Sequence, residues 1–242
     1  MRTSIILLGI FVTFLSLWAC ESETLPPQNS QLGLEYFPLE VGRYAVYEVK
    51  EINYSVVAEP DTQQYQLKEL VADSFPGQGG EIIYRLERFY REDDTQAWDL
   101  DSVWTARKNK QRIVVVENNI PQIKLVFPLD IGVSWDVNAL NSREEQLYEL
   151  RNTDDALLTE MVTPVDSLLS DELFTVIQAE SQDTIINRVE ASETYLKHVG
   201  LFYKKSLRLH YCASEPECVG LGILESGRDY RQTLIDYGYE NK

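Results

Sequence analysis

Two histidines, His198 and His210, are the only side chains in this chain that titrate near neutrality without perturbation. Catalytic designs built on an imidazole shuttle have almost nothing to draw on. The chain also lacks HExxH for zinc, a phosphate-cradling P-loop, a GxSxG nucleophile elbow and a GxGxxG dinucleotide fingerprint. Gly220-Leu221-Gly222 has no third glycine at the required spacing. A Ser, His and Asp triad is recognised by geometry rather than order, and no pattern here points to one. Basic residues are scarce too: 22 Lys and Arg against 39 Asp and Glu give a formal net charge of -17. Proteins bind phosphate backbones chiefly by neutralising them, so this balance excludes nucleic acid as a partner. It argues equally against an electrostatic attachment to anionic lipid. Acidity of this kind serves solubility, with a bias toward cationic partners.

The apolar run from Ile5 to Trp18 is shorter than the roughly 20 residues a transmembrane helix needs. Acidic, Pro-containing sequence follows it at Glu21, Glu23, Pro26 and Pro27. With Arg2 before it and Ala19 and Cys20 after it, the run has the order of a removable export signal. Cysteine is also rare, at three residues, and an odd number in an exported chain needs an explanation. Cys20 supplies one. Leu17-Trp18-Ala19-Cys20 resembles the lipobox of bacterial lipoproteins, in which the signal is cut ahead of a diacylated cysteine; Trp18 is bulkier than the usual occupant. An ordinary secretory signal ending near Ala19 is the alternative.

Lipidation of Cys20 leaves an even pair. Cys212 and Cys218 flank Ala-Ser-Glu-Pro-Glu, a short polar loop in which Pro216 favours a turn. Such a loop lets two Cα atoms approach the roughly 4.4 to 6.8 Å that a disulfide requires. A local disulfide is the expectation; a soft-metal site joined by His210, or two free thiols, are the other readings.

The expected organisation is a signal peptide over residues 1–19, a lipidated Cys20 with a flexible tether over 20–34, and a single mainly-β domain over 35–242. An internal division near 141–160 is considered. Loss of Arg2 with the signal takes the mature chain to -18. Composition from Glu21 to about Gln31 suits a solvated tether, which at about 3.3 to 3.6 Å per residue reaches at most some 40 Å.

Alternation of large and polar residues over Arg43–Lys50 has the two-residue period of a half-buried strand. Further strands are expected at Glu81–Tyr90, Trp98–Arg107 and Gln111–Glu117, with a hairpin turn at Lys108-Asn109-Lys110 and a turn at Pro76–Gly80. The second half is expected to hold a strand at Glu144–Asn152 and a short helix over Asp154–Val162 with Thr153 as N-cap. Strands follow at Phe174–Ala179, at Thr184–Ala191 with a turn of helix after it, at Leu201–Leu209, and from about Val219 to Ile235. The fold class is mainly β: a curved antiparallel sheet, half-barrel or barrel-like, with little helix.

One internal echo joins the halves: Phe37-Pro38-Leu39-Glu40-Val41-Gly42 and Phe127-Pro128-Leu129-Asp130-Ile131-Gly132. Pro fixes φ and Gly permits positive φ, so each copy can turn the chain while Phe and Leu anchor the turn. These corners, with Tyr36, Arg43-Tyr44, Glu117-Asn118-Asn119, Trp135 and Val199-Gly200-Leu201-Phe202-Tyr203-Lys204, resemble segments of uncharacterised outer-membrane lipoproteins of Bacteroidota-type bacteria. The resemblance covers about a third of the mature chain in scattered blocks. It implies a mostly β fold and an outer-membrane lipoprotein, and brings no catalytic residues. Glu21 and Glu23 resemble acidic signals that send such lipoproteins to the cell surface, with the periplasmic face as the alternative.

No catalytic residue, cofactor or metal is expected. Asp99 and Asp101 share a strand face opposite Trp98 and Trp104, which weakens a paired-carboxylate sugar site. Glu92-Asp93-Asp94 lacks the EF-hand spacing for calcium. The expected function is a membrane-anchored, non-enzymatic binding or envelope-assembly module, with the membrane as partner through Cys20 and an apolar ligand or envelope protein as the other. The runner-up is a glycan-binding or glycan-hydrolysing lipoprotein using Trp98, Trp104 or Trp135 as platforms.

Overall fold

A computed structural model describes residues 32–161, 172–181 and 185–240. Cys20 and the export segment lie outside them. The described residues form one antiparallel sheet of twelve strands: β1 Arg43–Ser55, β2 Ala58–Pro76, β3 Ile82–Arg91, β4 Asp99–Lys108, β5 Arg112–Glu117, β6 Ile120–Val126, β7 Ser134–Asp136, β8 Leu147–Asn152, β9 Leu173–Glu180, β10 Asn187–Leu196, β11 Gly200–Tyr211 and β12 Leu224–Tyr239. A short helix, α1, spans Asp155–Glu160. The sheet order is β6-β5-β4-β3-β2-β1-β12-β11-β10-β9-β8-β7. The mainly-β, barrel-like expectation is therefore met, and the division considered near 141–160 falls within this one sheet.

The sheet curls until its two ends meet. Ile123 N–H of β6 donates to Val137 O just beyond β7 at 3.0 Å, and the Trp135 indole donates to Ile123 O at 2.9 Å. Asn141 Nδ2 adds a bond to Pro121 O at 2.8 Å. These bonds cover edges that would otherwise be open to pairing with other chains.

The two Phe-Pro-Leu corners each open a six-strand meander, β1–β6 and β7–β12. Both make the same turn. Arg43 N–H bonds Glu40 O at 3.0 Å, and Val133 N–H bonds Asp130 O at 3.1 Å. The glycines have φ of 91° and 88°. Gly42 N–H then reaches Val71 O of β2 and Gly132 N–H reaches Leu150 O of β8, each the second strand of its own meander. Leu39 is buried, and Phe37, Phe127 and Leu129 pack against the main core, as the anchoring role requires.

That core lies inside the barrel, because it joins Leu86 of β3 and Val115 of β5 to Leu150, Phe174 and Tyr195 of β8, β9 and β10. About eight strands make a barrel that side chains just fill; twelve leave more room. The N-terminal segment takes part of it. Tyr36 and Phe37 pack against Phe174 and Tyr195, with ring centroids 4.7 and 6.3 Å apart. Lys108 Nζ donates to the Phe37 carbonyl at 3.0 Å. Leu32 is buried and its carbonyl accepts from Leu129 N–H, so the last residues of the expected tether are already packed.

Other differences have local causes. β2 has no counterpart among the expected strands: residues 58–64 are exposed on both faces and include no large apolar side chain, so no alternation marks them, and pairing with β1 makes the strand. The turn of helix expected after residue 191 is strand, since β10 is held between β9 and β11 through Leu196. The N-cap of α1 is Asp154, whose carboxylate accepts from Leu157 N–H at 2.7 Å, rather than Thr153, whose hydroxyl meets Thr175. β12 begins at Leu224, after a turn over residues expected to be strand.

Candidate functional site

A half-open cavity of about 120 Å³ occupies the barrel interior beside the N-terminal segment. That is many times the roughly 10–15 Å³ one water needs by the same kind of measure. Leu39, Leu86 and Val115 supply apolar wall, Tyr47, Trp104 and Tyr195 aromatic wall, and Arg43 stands at the rim.

Strand register places the charges. Glu193, Lys204 and Gln232 form a row across β10, β11 and β12, because Glu193 pairs with Lys204 and Lys204 with Gln232. Lys204 Nζ donates to Glu193 Oε1 at 2.9 Å, while Tyr195, two residues on and so on the same face, donates its hydroxyl to Oε2 at 2.8 Å. From β6, which is not a sheet neighbour of β10, Lys124 crosses the interior to lie 3.5 Å from Glu193 and 2.8 Å from Glu117. Glu193 is only 3% exposed. On the facing wall Glu69 and Arg88 are register partners and bond at 3.0 Å. Arg88 also stacks on Trp104, its guanidinium carbon 4.1 Å from the ring centroid.

The electrostatics keep Glu193 and Lys124 charged. Burial pushes the Glu193 carboxyl up, but Lys124 and then Lys204 outweigh it and hold the acid well below the carboxylate range. Burial likewise opposes the Lys124 charge, and Glu193 and Glu117 overcome it, raising the ammonium above its ordinary value. Tyr148 is pushed up to about 12 by burial and then by Glu193. Tyr195 is raised by burial and by the same carboxylate.

Two residues of the lining carry a buried donor with no partner among the described residues, Trp104 Nε1 and Gln232 Nε2, and neither atom has surface open to the cavity. Gln232 is 2% exposed, and its Oε1 is already used by the Tyr230 hydroxyl at 2.7 Å, which leaves the amide N–H groups over.

Of the residues singled out from sequence, Trp104 and the Phe37-Pro38-Leu39 corner line the cavity, and the others lie elsewhere. Cys212 and Cys218 form the expected disulfide, with Cα atoms 5.7 Å apart, in the β11–β12 loop. Both sulfurs are therefore taken, and His210 Nδ1 bonds Asn187 Oδ1 at 2.6 Å, so the metal alternative loses its ligands. Asp93 caps its own turn, accepting from Thr95 N–H at 2.9 Å. Asp99 and Asp101 are exposed on β4. The three tryptophans do not form one platform: Trp135 is buried with its indole bonded to Ile123, Trp104 faces the interior, and Trp98 lies under Arg91.

Sequence reasoning missed Lys124, Glu193, Lys204 and Gln232. Lys124 carried one usable signal, a lone cation inside the apolar stretch Ile123–Val126. Glu193 carried another, a two-residue step to Tyr195. No protein-family model matches the chain, and comparison with curated proteins finds no match either.

Proposed function

We propose that this chain is a lipid-anchored extracytoplasmic protein, held on the outer membrane through Cys20, whose barrel binds a small amphipathic molecule in its interior. One observation carries the binding reading: a half-open cavity inside the barrel whose lining is mostly apolar and aromatic, with a few charged groups held in ion pairs. A concave, mostly apolar site with a small number of fixed polar groups is the usual form of a small-molecule pocket.

Binding is favoured over catalysis because Glu193 and Lys124 are both held in their charged forms. A general acid or base works best with a pKa near the operating pH, whereas Glu193 is held far below it and Lys124 far above. For the anchor, the support is the lipobox-like order at Leu17–Cys20, together with the Cys212–Cys218 disulfide, which leaves Cys20 as the odd cysteine. Phe37, Pro38 and Leu39, near the start of the described residues, line the cavity.

Native mass spectrometry of the detergent-solubilised protein tests the proposal. A bound small molecule, released on unfolding, is the expected result. An empty barrel that co-purifies with a stable envelope protein refutes ligand binding and supports an assembly role.

A further inference from the structure

The charged groups that line the cavity are matched to one another. Glu69 is paired with Arg88, Glu117 with Lys124, and Glu193 with both Lys124 and Lys204. At the rim the Arg43 guanidinium is occupied by the His198 and Val199 carbonyls and the Tyr239 hydroxyl. A charged head of either sign would have to displace a formed contact, and parting a buried ion pair is strongly unfavourable.

Tyr47 differs from these groups. It stands mid-strand on β1, paired with Leu67 of β2 and Leu234 of β12, lines the cavity and is 2% exposed. Its hydroxyl has no hydrogen-bond partner among the described residues, yet it is not sealed as Trp104 Nε1, Gln232 Nε2 and the Tyr203 hydroxyl are, so its remaining surface opens on the cavity. Glu69, Arg88, Glu193 and Arg43, all of the same lining, act on it electrostatically, which sets the hydroxyl among them. Burial and then Glu69 push it well above its ordinary pKa, so it stays a neutral donor. Beside it, Arg88 stacks on Trp104, and Leu86 lies two residues from Arg88 on the same face of β3, opposite Trp104. Buried hydroxyls are nearly always bonded, so one left free at an open space suits a ligand that brings an acceptor. The space is about 120 Å³, close to the roughly 150 Å³ of an apolar cavity that takes up benzene.

Resting on the lumen-binding reading above, we infer that the barrel selects an uncharged molecule about the size of one ring, whose carbonyl or hydroxyl oxygen accepts from the Tyr47 hydroxyl while its apolar body lies against Leu86 and Trp104. The ion pairs then act as wall rather than as contacts. Lys124 and Glu193 tie β6 to β10 across the interior, and the matched charges turn away heads of either sign.

Three probes of one shape and different charge test this: acetophenone, benzoate and benzamidinium, titrated into the full-length protein and followed by the NMR shifts of the probe. Salt at about 0.15 M screens the acidic exterior. Acetophenone is expected to bind at least about tenfold more tightly than either ion, a factor that equals about 1.4 kcal/mol. Tyr47→Phe, which keeps the ring and removes the hydroxyl, should weaken acetophenone several-fold and leave the two ions unchanged. If that variant fails to fold, the series on the parent decides alone. An ion that binds as well as acetophenone, an unchanged acetophenone affinity in folded Tyr47→Phe, or no binding of any probe overturns the inference. The lumen-binding reading is judged separately by the native mass spectrum: a charged molecule carried in the barrel there refutes the neutral ligand alone, whereas an empty barrel refutes both.

Discussion

Glu193→Gln removes one charge from the barrel interior and almost no volume. In the parent, the carboxylate receives Lys204 at 2.9 Å, Lys124 at 3.5 Å and the Tyr195 hydroxyl at 2.8 Å. The amide retains an acceptor for Tyr195 but leaves Lys204 without its ion partner and Lys124 with Glu117 alone. Removing one member of a buried ion network costs about 3–5 kcal/mol. Because Glu117 remains 2.8 Å from Lys124 and the Lys204 side chain is 30% exposed, the low end applies, about 3 kcal/mol. At roughly 2–4 °C per kcal/mol for a chain this long, the melting temperature should fall by about 6–12 °C. Adding Lys204→Met to Glu193→Gln removes the stranded charge, so the double variant should lose less than the sum of the two singles.

The same residue sets part of the acid limb. Glu193 has a folded pKa far below its ordinary 4.5, so its stabilisation is complete above about that pH and is lost as pH falls toward the folded value. The variant should therefore show a flatter decline below pH 4.5 than the parent. Urea unfolding of both proteins between pH 3 and 7 measures this. A loss under about 1 kcal/mol at pH 7 with an unchanged acid limb would refute the buried-network argument.

Gly132→Ala isolates backbone strain: φ is 88° and nothing stands within 4 Å of where the Cβ would go, so the cost is conformational alone, about 1–2 kcal/mol in chemical denaturation, with Gly132→Asn losing less. A neutral Gly132→Ala would show that the corner relaxes. Cys20→Ala should appear in the soluble fraction or remain unprocessed when cells are fractionated; a mature-sized product retained on the membrane would sink the anchor.

Period-two alternation made β1 legible, since Tyr47 and Val49 are buried and Glu48 and Lys50 exposed, whereas β3, β4 and β5 were legible as runs of β-branched and aromatic residues bounded by turn signals. The corners were legible for a similar reason. Proline, an acid three residues before the bonding N–H, and a glycine at positive φ act within six residues, and both copies made the same turn. The Cys212–Cys218 disulfide closes a short loop and was equally local. β2 was not legible, since its first residues are exposed on both faces and owe their conformation to β1. Nor was the extended course of β10, where apolar residues fit a helical face as well as a strand until two neighbouring strands claimed them.

The site follows the same division. Local sequence places Glu193 and Tyr195 on one face of a strand, and puts Lys124 inside an apolar one. It does not say what opposes them. Lys204 meets Glu193 through the register of β10 with β11, whereas Lys124 meets it only because twelve strands curl far enough for β6 to face β10. Covalent neighbours and side-chain period determined the strands, the corners, the disulfide and the net acidity. Barrel closure alone decided that the interior holds an ion network of Glu117, Lys124, Glu193 and Lys204, because charges distant along the chain come into contact only when the sheet returns to itself.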